Sequence, residues 1–202
     1  MIFALTSPMM WARYALSALA VLGAKALTIV LAPIIALPPF IVMREESETT
    51  GYPSLYPGKP REFLIKPIRW LQTHDAPLDE YYYAGYYEGK WTERFKDNKW
   101  LMRVCWLWRN AAYGVAHKLG YDQRGMVLTK LRSEMALRNT GIKNITYYTA
   151  VNGNNKKAFM FFAQLPYTKK RALELYFGYK LLRNDPDQRC MLVVRLKPFK
   201  VL

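Results

Sequence analysis

From Tyr14 to Met43 the chain carries a single charge, Lys25, and the stretch Ala26 to Met43, ALTIVLAPIIALPPFIVM, carries none. A run of that length approaches the roughly 20 residues a helix needs to cross a hydrocarbon core. It predicts a hydrophobic, membrane-embedded helix within residues 1–43, with Lys25 snorkelling or facing a partner helix. Trp11, Arg13 and Tyr14 resemble an interfacial anchor, and Arg44, Glu45, Glu46 and Glu48 make an abrupt polar stop. A competing reading buries the same helix in a protein assembly, where Pro33, Pro38 and Pro39 kink or end it without lipid. A cleaved leader fits less well, because no charge precedes Arg13 and the apolar run is too long. The basic groups that follow, Arg44, Lys59 and Arg61, lean towards a cytoplasmic C-terminal part.

The remainder is foldable and cationic. Among 202 residues, 51% are hydrophobic and the net charge is +15, which excludes a disordered tail and favours an anionic neighbour such as nucleic acid, lipid head groups or an acidic protein face. Residues 126–202 alone hold fifteen basic and four acidic groups. Two cysteines, Cys105 and Cys190, make no disulfide framework, and no Cys/His pattern suggests zinc.

Residues 44–62, REESETTGYPSLYPGKPRE, read as a Pro/Gly-rich linker, and residues 63–202 as one basic, aromatic-rich α+β domain. Phe63 to Leu71, with Pro67 inside, predicts a short amphipathic or irregular segment carrying Trp70. Five tyrosines between Asp79 and Glu88 favour strands or an adaptable contact loop. Apolar residues at helical spacing predict a helix from Asn98 to Arg109, with Asn110 to Gly114 a turn or a continuation. Four runs then predict an antiparallel meander: Ile145 to Val151, Ala158 to Leu165, Ala172 to Leu182 and Cys190 to Leu196. Asn152 to Asn155 and Asn184 to Asp187 supply its turn chemistry.

Protonatable groups crowd at one place only, His74, Asp75, Asp79 and Glu80. A carboxylate pair with a histidine can bind a cation or move protons, yet the spacing fits no metal loop, and Asp75 and Asp79 read more simply as caps of turns around Pro77. No nucleophile elbow, P-loop, Rossmann glycine run or H-E-x-x-H occurs, so neither an enzyme, a metal nor a cofactor is expected. Arg103 and Arg109 flank Trp106 and Trp108, and stacking or a bidentate bond to a carboxylate of the Asp75–Glu80 loop would lock helix to loop. Lys156-Lys157 and Lys169-Lys170-Arg171 flank turns and are candidates for an anionic partner.

Three segments, W-L-Q-T-H-D-A-P-L-D at Trp70 to Asp79, W-L-W-R-N-A-A-Y-G at Trp106 to Gly114 and F-G-Y-K-L at Phe177 to Leu181, resemble a family of small, mostly uncharacterised proteins of tailed bacteriophages. The match runs from about Leu31 to the C-terminus. Glu80 stands where that family has glycine, Ala111 where it has proline and Tyr179 where it has tryptophan. The resemblance implies phage origin and association with a membrane or virion, and carries over no catalytic residue. Together these readings lead to a non-enzymatic phage protein, membrane-anchored or virion-associated, whose basic β-rich domain mediates binding during assembly or infection. Its expected partners are a membrane or phage structural proteins, with an oligomeric assembly and an anionic surface of lipid or nucleic acid as further options. Its expected place is the host inner membrane with the C-terminal domain cytoplasmic, or the virion. A nucleic-acid-binding module, with lysine turns on phosphates, and an inhibitor that engages a host protein through the tyrosine-rich loop remain alternatives. The interaction candidates are Trp70, His74, Asp75, Asp79, Arg103, Arg109, Tyr113 and the five basic residues just named.

Overall fold

In the computed structural model, which describes residues 7–45, 57–134, 144–151, 156–181 and 189–201, the apolar N-terminal run forms one long helix, α1 (Pro8–Ile35). It stops short of Met43, and the prolines are the reason. Pro33 lacks an N–H, Pro38 opens a 3₁₀ turn that ends at Phe40, and the chain leaves that turn extended as β1 (Ile41–Arg44). β1 pairs antiparallel with β2 (Arg61–Leu64), Ile41 opposite Leu64 and Arg44 opposite Arg61. The end of the expected linker is therefore a buried strand, while its residues 46–56 lie outside the described residues.

The fold is α+β. The chain divides into two compact units, residues 21–116 and residues 1–20 with 117–202.

In the unit of residues 21–116, β2 leads into a 3₁₀ turn (Lys66–Leu71), a short helix α2 (Glu80–Tyr83), a second 3₁₀ turn (Trp91–Phe95) and α3 (Lys99–Arg109). The Asn98 side chain caps α3 by accepting from the Leu101 N–H at 3.0 Å. α3 buries Met102, Val104, Cys105, Trp106 and Leu107 against Ala32, Ile35, Leu64, Leu71 and Leu78. The tyrosine run contains no strand: Tyr81 is buried in this core while Tyr82, Tyr83 and Tyr86 stay exposed. Their neighbours Gly85 and Gly89 turn the backbone with positive φ, which breaks any extended ladder.

After α4 (Tyr113–Lys118), the other unit carries β3 (Tyr121–Asp122), β4 (Val127–Glu134), β5 (Asn144–Val151), β6 (Lys157–Pro166), β7 (Arg171–Tyr179), β8 (Arg189–Cys190) and β9 (Leu192–Val201). β4, β5, β6, β7 and β9 form an antiparallel meander in that order. β4 extends the expected sheet by one strand. β8 leaves it and pairs with β3. Both expected turn sequences, Asn152–Asn155 and Asn184–Asp187, lie outside the described residues. The first turns of α1 seat on this sheet through aromatic rings, Trp11 at 4.4 Å and Tyr14 at 5.1 Å from Phe159, and the Tyr14 hydroxyl donates to the Val193 carbonyl at 2.8 Å.

Candidate functional site

The three motif segments are built from backbone contacts before any chemistry. Gln72 is buried and bridges: its Oε1 accepts from the Leu64 N–H at 2.7 Å and its Nε2 donates to the Ala76 carbonyl at 3.2 Å. The Gly114 N–H donates to the Gln72 carbonyl, and a Cβ on Gly114 would stand 2.6 Å from that oxygen. The glycine that ends W-L-W-R-N-A-A-Y-G is thus the residue that lets this segment touch W-L-Q-T. In the third segment Gly178 has φ +97° and lies against the Phe159 carbonyl, and Tyr179 is a buried core ring.

Part of the charge in residues 21–116 is buried and paired. Arg61, only 1% exposed, donates Nε to Asp79 at 3.1 Å and Nη2 to Glu80 at 2.9 Å, with its guanidinium 4.6 Å above the Tyr83 ring. Burial pulls this guanidinium down, but the two carboxylates outweigh it and hold it above its ordinary value. Burial raises the Asp79 carboxyl against the pull of Arg61. Glu62 takes a bidentate bond from Arg103, at 2.7 and 2.8 Å, and an ion pair from Lys99 at 2.6 Å. Burial pushes Glu62 up, yet Arg103 and Lys99 together leave it below the usual carboxylate value.

The expected stacking occurs at Arg109, over Trp106, while the expected bidentate bond to a carboxylate of the Asp75–Glu80 loop is replaced by another. Arg103 reaches Glu62, and the loop carboxylates Asp79 and Glu80 go to Arg61. Arg109 stacks, 4.5 Å above Tyr86 and 5.6 Å above Trp106. The His74 ring lies parallel to Tyr113 at 5.8 Å, and its Nδ1 is 3.8 Å from Asp75. Trp70 donates its indole N–H to the Pro67 carbonyl three residues back. His74, Asp75, Asp79 and Glu80 do not converge, and no three His, Cys, Asp or Glu side chains among the described residues are placed to hold a metal ion. Burial raises both thiols, Cys190 to about 11, so each stays protonated and a poor nucleophile at neutral pH.

Basic residues, most of them exposed, collect at the sheet. Lys156 and Lys157 stand at one end of β6, and Lys169, Lys170 and Arg171 follow its other end, ~30 Å away at 3.3 Å per residue. The two groups are separate surfaces. Register places Lys200 opposite Ala172 and Lys197 opposite Glu174, so both join the second group, which also exposes Tyr167 and Phe199. Sequence order hides Lys197 and Lys200, because only strand pairing brings them there.

Two further residues act on α1. Pro33 has no N–H to give the Ile29 carbonyl, and the indole of Trp108 donates to that oxygen at 2.9 Å. Trp100 donates to the Pro33 carbonyl, also at 2.9 Å. A proline inside an apolar helix signals a freed carbonyl four residues earlier, but nothing in the sequence says which donor meets it.

These features describe an α+β protein organised on one long apolar helix, a buried charge clasp and a basic sheet. Over residues 6–202 the chain matches the model of a family of unknown function, DUF7338, and it belongs to that family. The match takes in α1 as well as all three motif segments. No curated protein and no solved structure matches it.

Proposed function

We propose that the chain is a non-enzymatic bacteriophage protein, held at a membrane or in a virion assembly by α1, whose basic sheet binds an anionic partner during assembly or infection. The observation that carries this reading is the outer side of α1. Leu16, Leu19, Leu22, Leu27, Val30 and Ile34 are all exposed on a helix of 28 residues that contains one lysine and one arginine. A contiguous apolar surface of that kind marks an interaction site. Phage origin rests on the resemblance of the three motif segments, and the non-enzymatic reading on the lack of catalytic motifs in the sequence.

Fractionation of infected cells and purified particles tests it, with the protein followed by mass spectrometry through high-salt and alkaline washes. Fixed copy number in particles makes it a virion component; wash-resistant retention in membranes makes it an infected-cell membrane protein. Recovery in the soluble fraction alone removes the proposal.

The second group of basic residues favours one alternative, because Tyr167 and Phe199 stand exposed among Lys169, Lys170, Lys197 and Lys200. Aromatic faces beside phosphate-binding lysines suit single-stranded nucleic acid. A steep fall of oligonucleotide affinity with salt is its signature.

A further inference from the structure

We infer that α1 lies along a bilayer surface and does not cross it, with Leu22, Leu27, Val30 and Ile34 sunk among the upper acyl chains of anionic lipid and Trp100 and Trp108 at head-group level. The inference rests on the reading of α1 as a membrane anchor and fixes how that anchor sits.

The first argument is the helix itself. At 3.6 residues per turn, the exposed Leu16, Leu19, Leu22, Leu27, Val30 and Ile34 fall on one side, and the buried Met10, Tyr14, Val21, Ala24, Thr28, Ala32 and Ile35 fall on the other. Lys25, half-buried, sits near the border between them. Within residues 21–116, one face of α1 is covered by protein through Ala32 and Ile35, and the face of Leu22, Leu27, Val30 and Ile34 is open and apolar.

The second argument is what covers it. Within residues 21–116, α3 runs beside α1 and carries Lys99, Arg103 and Arg109, with Arg103 locked to Glu62 and reaching the Ala36 carbonyl at 3.4 Å. A transmembrane placement would carry this ion pair into hydrocarbon or strip α3 away. Stripping α3 would leave the Ile29 and Pro33 carbonyls without their indole donors in a medium that offers no water. Lying in the interface keeps every one of these bonds, the pairs of Lys99 and Arg103 with Glu62 included.

The third is the pair of indoles. Each is exposed on part of its ring while its N–H is given to an α1 carbonyl. An apolar ring with its polar tip satisfied, at the edge of an apolar face, is the arrangement tryptophan takes at a membrane interface. Residues 21–116 hold twelve basic and ten acidic groups, and the small positive excess favours an anionic surface.

The test uses the full chain. Single cysteines placed by M9C and L37C, near the two ends of α1, are labelled with a membrane-impermeant maleimide in right-side-out and inverted bacterial membrane vesicles. The native Cys105 and Cys190 are buried. The expected result is that both ends label in the same vesicle orientation. Labelling in opposite orientations shows a crossing helix and overturns the inference while leaving the anchor reading standing. In parallel, purified protein is sedimented with vesicles of phosphatidylcholine, with or without phosphatidylglycerol. Binding should strengthen with phosphatidylglycerol, and V30E should weaken it about ten-fold without changing the circular dichroism, since Val30 is 72% exposed. Binding indifferent to both V30E and lipid charge means that the face seats on protein, and sinks the inference. Failure to bind either vesicle, with no retention in cell membranes, removes the membrane reading and the inference together.

Discussion

Residues 21–116 and the β-sheet unit handle charge in opposite ways. The first buries Arg61, Glu62, Asp79 and Glu80 and satisfies them with one another and with Arg103 and Lys99. The sheet unit holds Lys169, Lys170 and Arg171 outside and fills its interior mainly with rings, Tyr14, Phe159 and Tyr179, with a buried carboxylate, Glu174, paired to Arg195 and Lys197. A buried ion network is a weak source of net stability but a severe loss when one member is removed. An exposed lysine contributes little to folding and remains available to a partner. The lesson is about location: the residues that the sequence motifs draw attention to hold the fold, and the surfaces free to bind lie away from them.

The sharpest way to break that contrast is Arg61→Ala. Asp79 and Glu80 would be left buried without their guanidinium, and unfolding in urea should show a loss of about 3–5 kcal/mol. The double variant K169A/K170A should stay within about 0.5 kcal/mol of the parent, as exposed substitutions do, while weakening any anionic contact. Equal effects from the two variants would erase the distinction. A backbone test comes next. Gly178→Ala puts a Cβ 2.2 Å from the Phe159 carbonyl at φ +97°, and the strain should cost about 1–3 kcal/mol in the same assay.

Acid sharpens the comparison further. The folded pKa of Glu62 is depressed, so its contribution is complete above the unfolded value of about 4.3 and is lost as pH falls through the folded one. Asp79, raised by burial, runs the other way and contributes more as pH falls. Urea midpoints of the parent and of E62Q between neutral pH and strong acid separate the two. The parent should lose stability relative to E62Q on acidification, and parallel curves would show that Glu62 is not held as the geometry requires.

Much of this was legible in the sequence, unevenly. α3 and its Asn98 start follow from apolar spacing and a capping side chain, and β5, β6, β7 and β9 follow from runs of β-branched and aromatic residues. Periodicity and turn chemistry are local, and a single sequence carries them. The end of α1 was harder, because Ile41 to Met43 is as apolar as the helix and only pairing with Phe63 and Leu64 makes it a strand. Arg61 and Glu62 read as linker because charge next to Pro60 is ordinarily solvated. Their burial depends on Asp79, Glu80 and Arg103, which are distant in sequence. The candidate cluster at His74 to Glu80 was visible as composition, but it splits in two, Asp79 and Glu80 onto Arg61 and His74 beside Asp75, and composition holds no directions. β4 was missed because Lys130, Arg132 and Glu134 interrupt its apolar residues, and the break between β8 and β9 because Cys190 to Leu196 reads as one run.

A smaller effect than those at Arg61 and Gly178 is expected at Trp108, and it bears on the side of residues 21–116 that does not hide its groups. Trp108→Phe keeps the ring and removes the donor to the Ile29 carbonyl. In water the loss should be about 0.5–1.5 kcal/mol, since solvent can reach a carbonyl beside an exposed ring. On a bilayer the same carbonyl has no water to turn to, and the penalty should grow towards that of an unsatisfied polar group in hydrocarbon. Thermal unfolding of parent and variant, in buffer and bound to phosphatidylglycerol vesicles, measures the difference directly. A gap that widens on vesicles places this helix face against lipid. A gap that stays the same in both places it in water or against a polar protein surface, and the contrast between an inward-paired unit and an outward-facing sheet would then hold for charge alone.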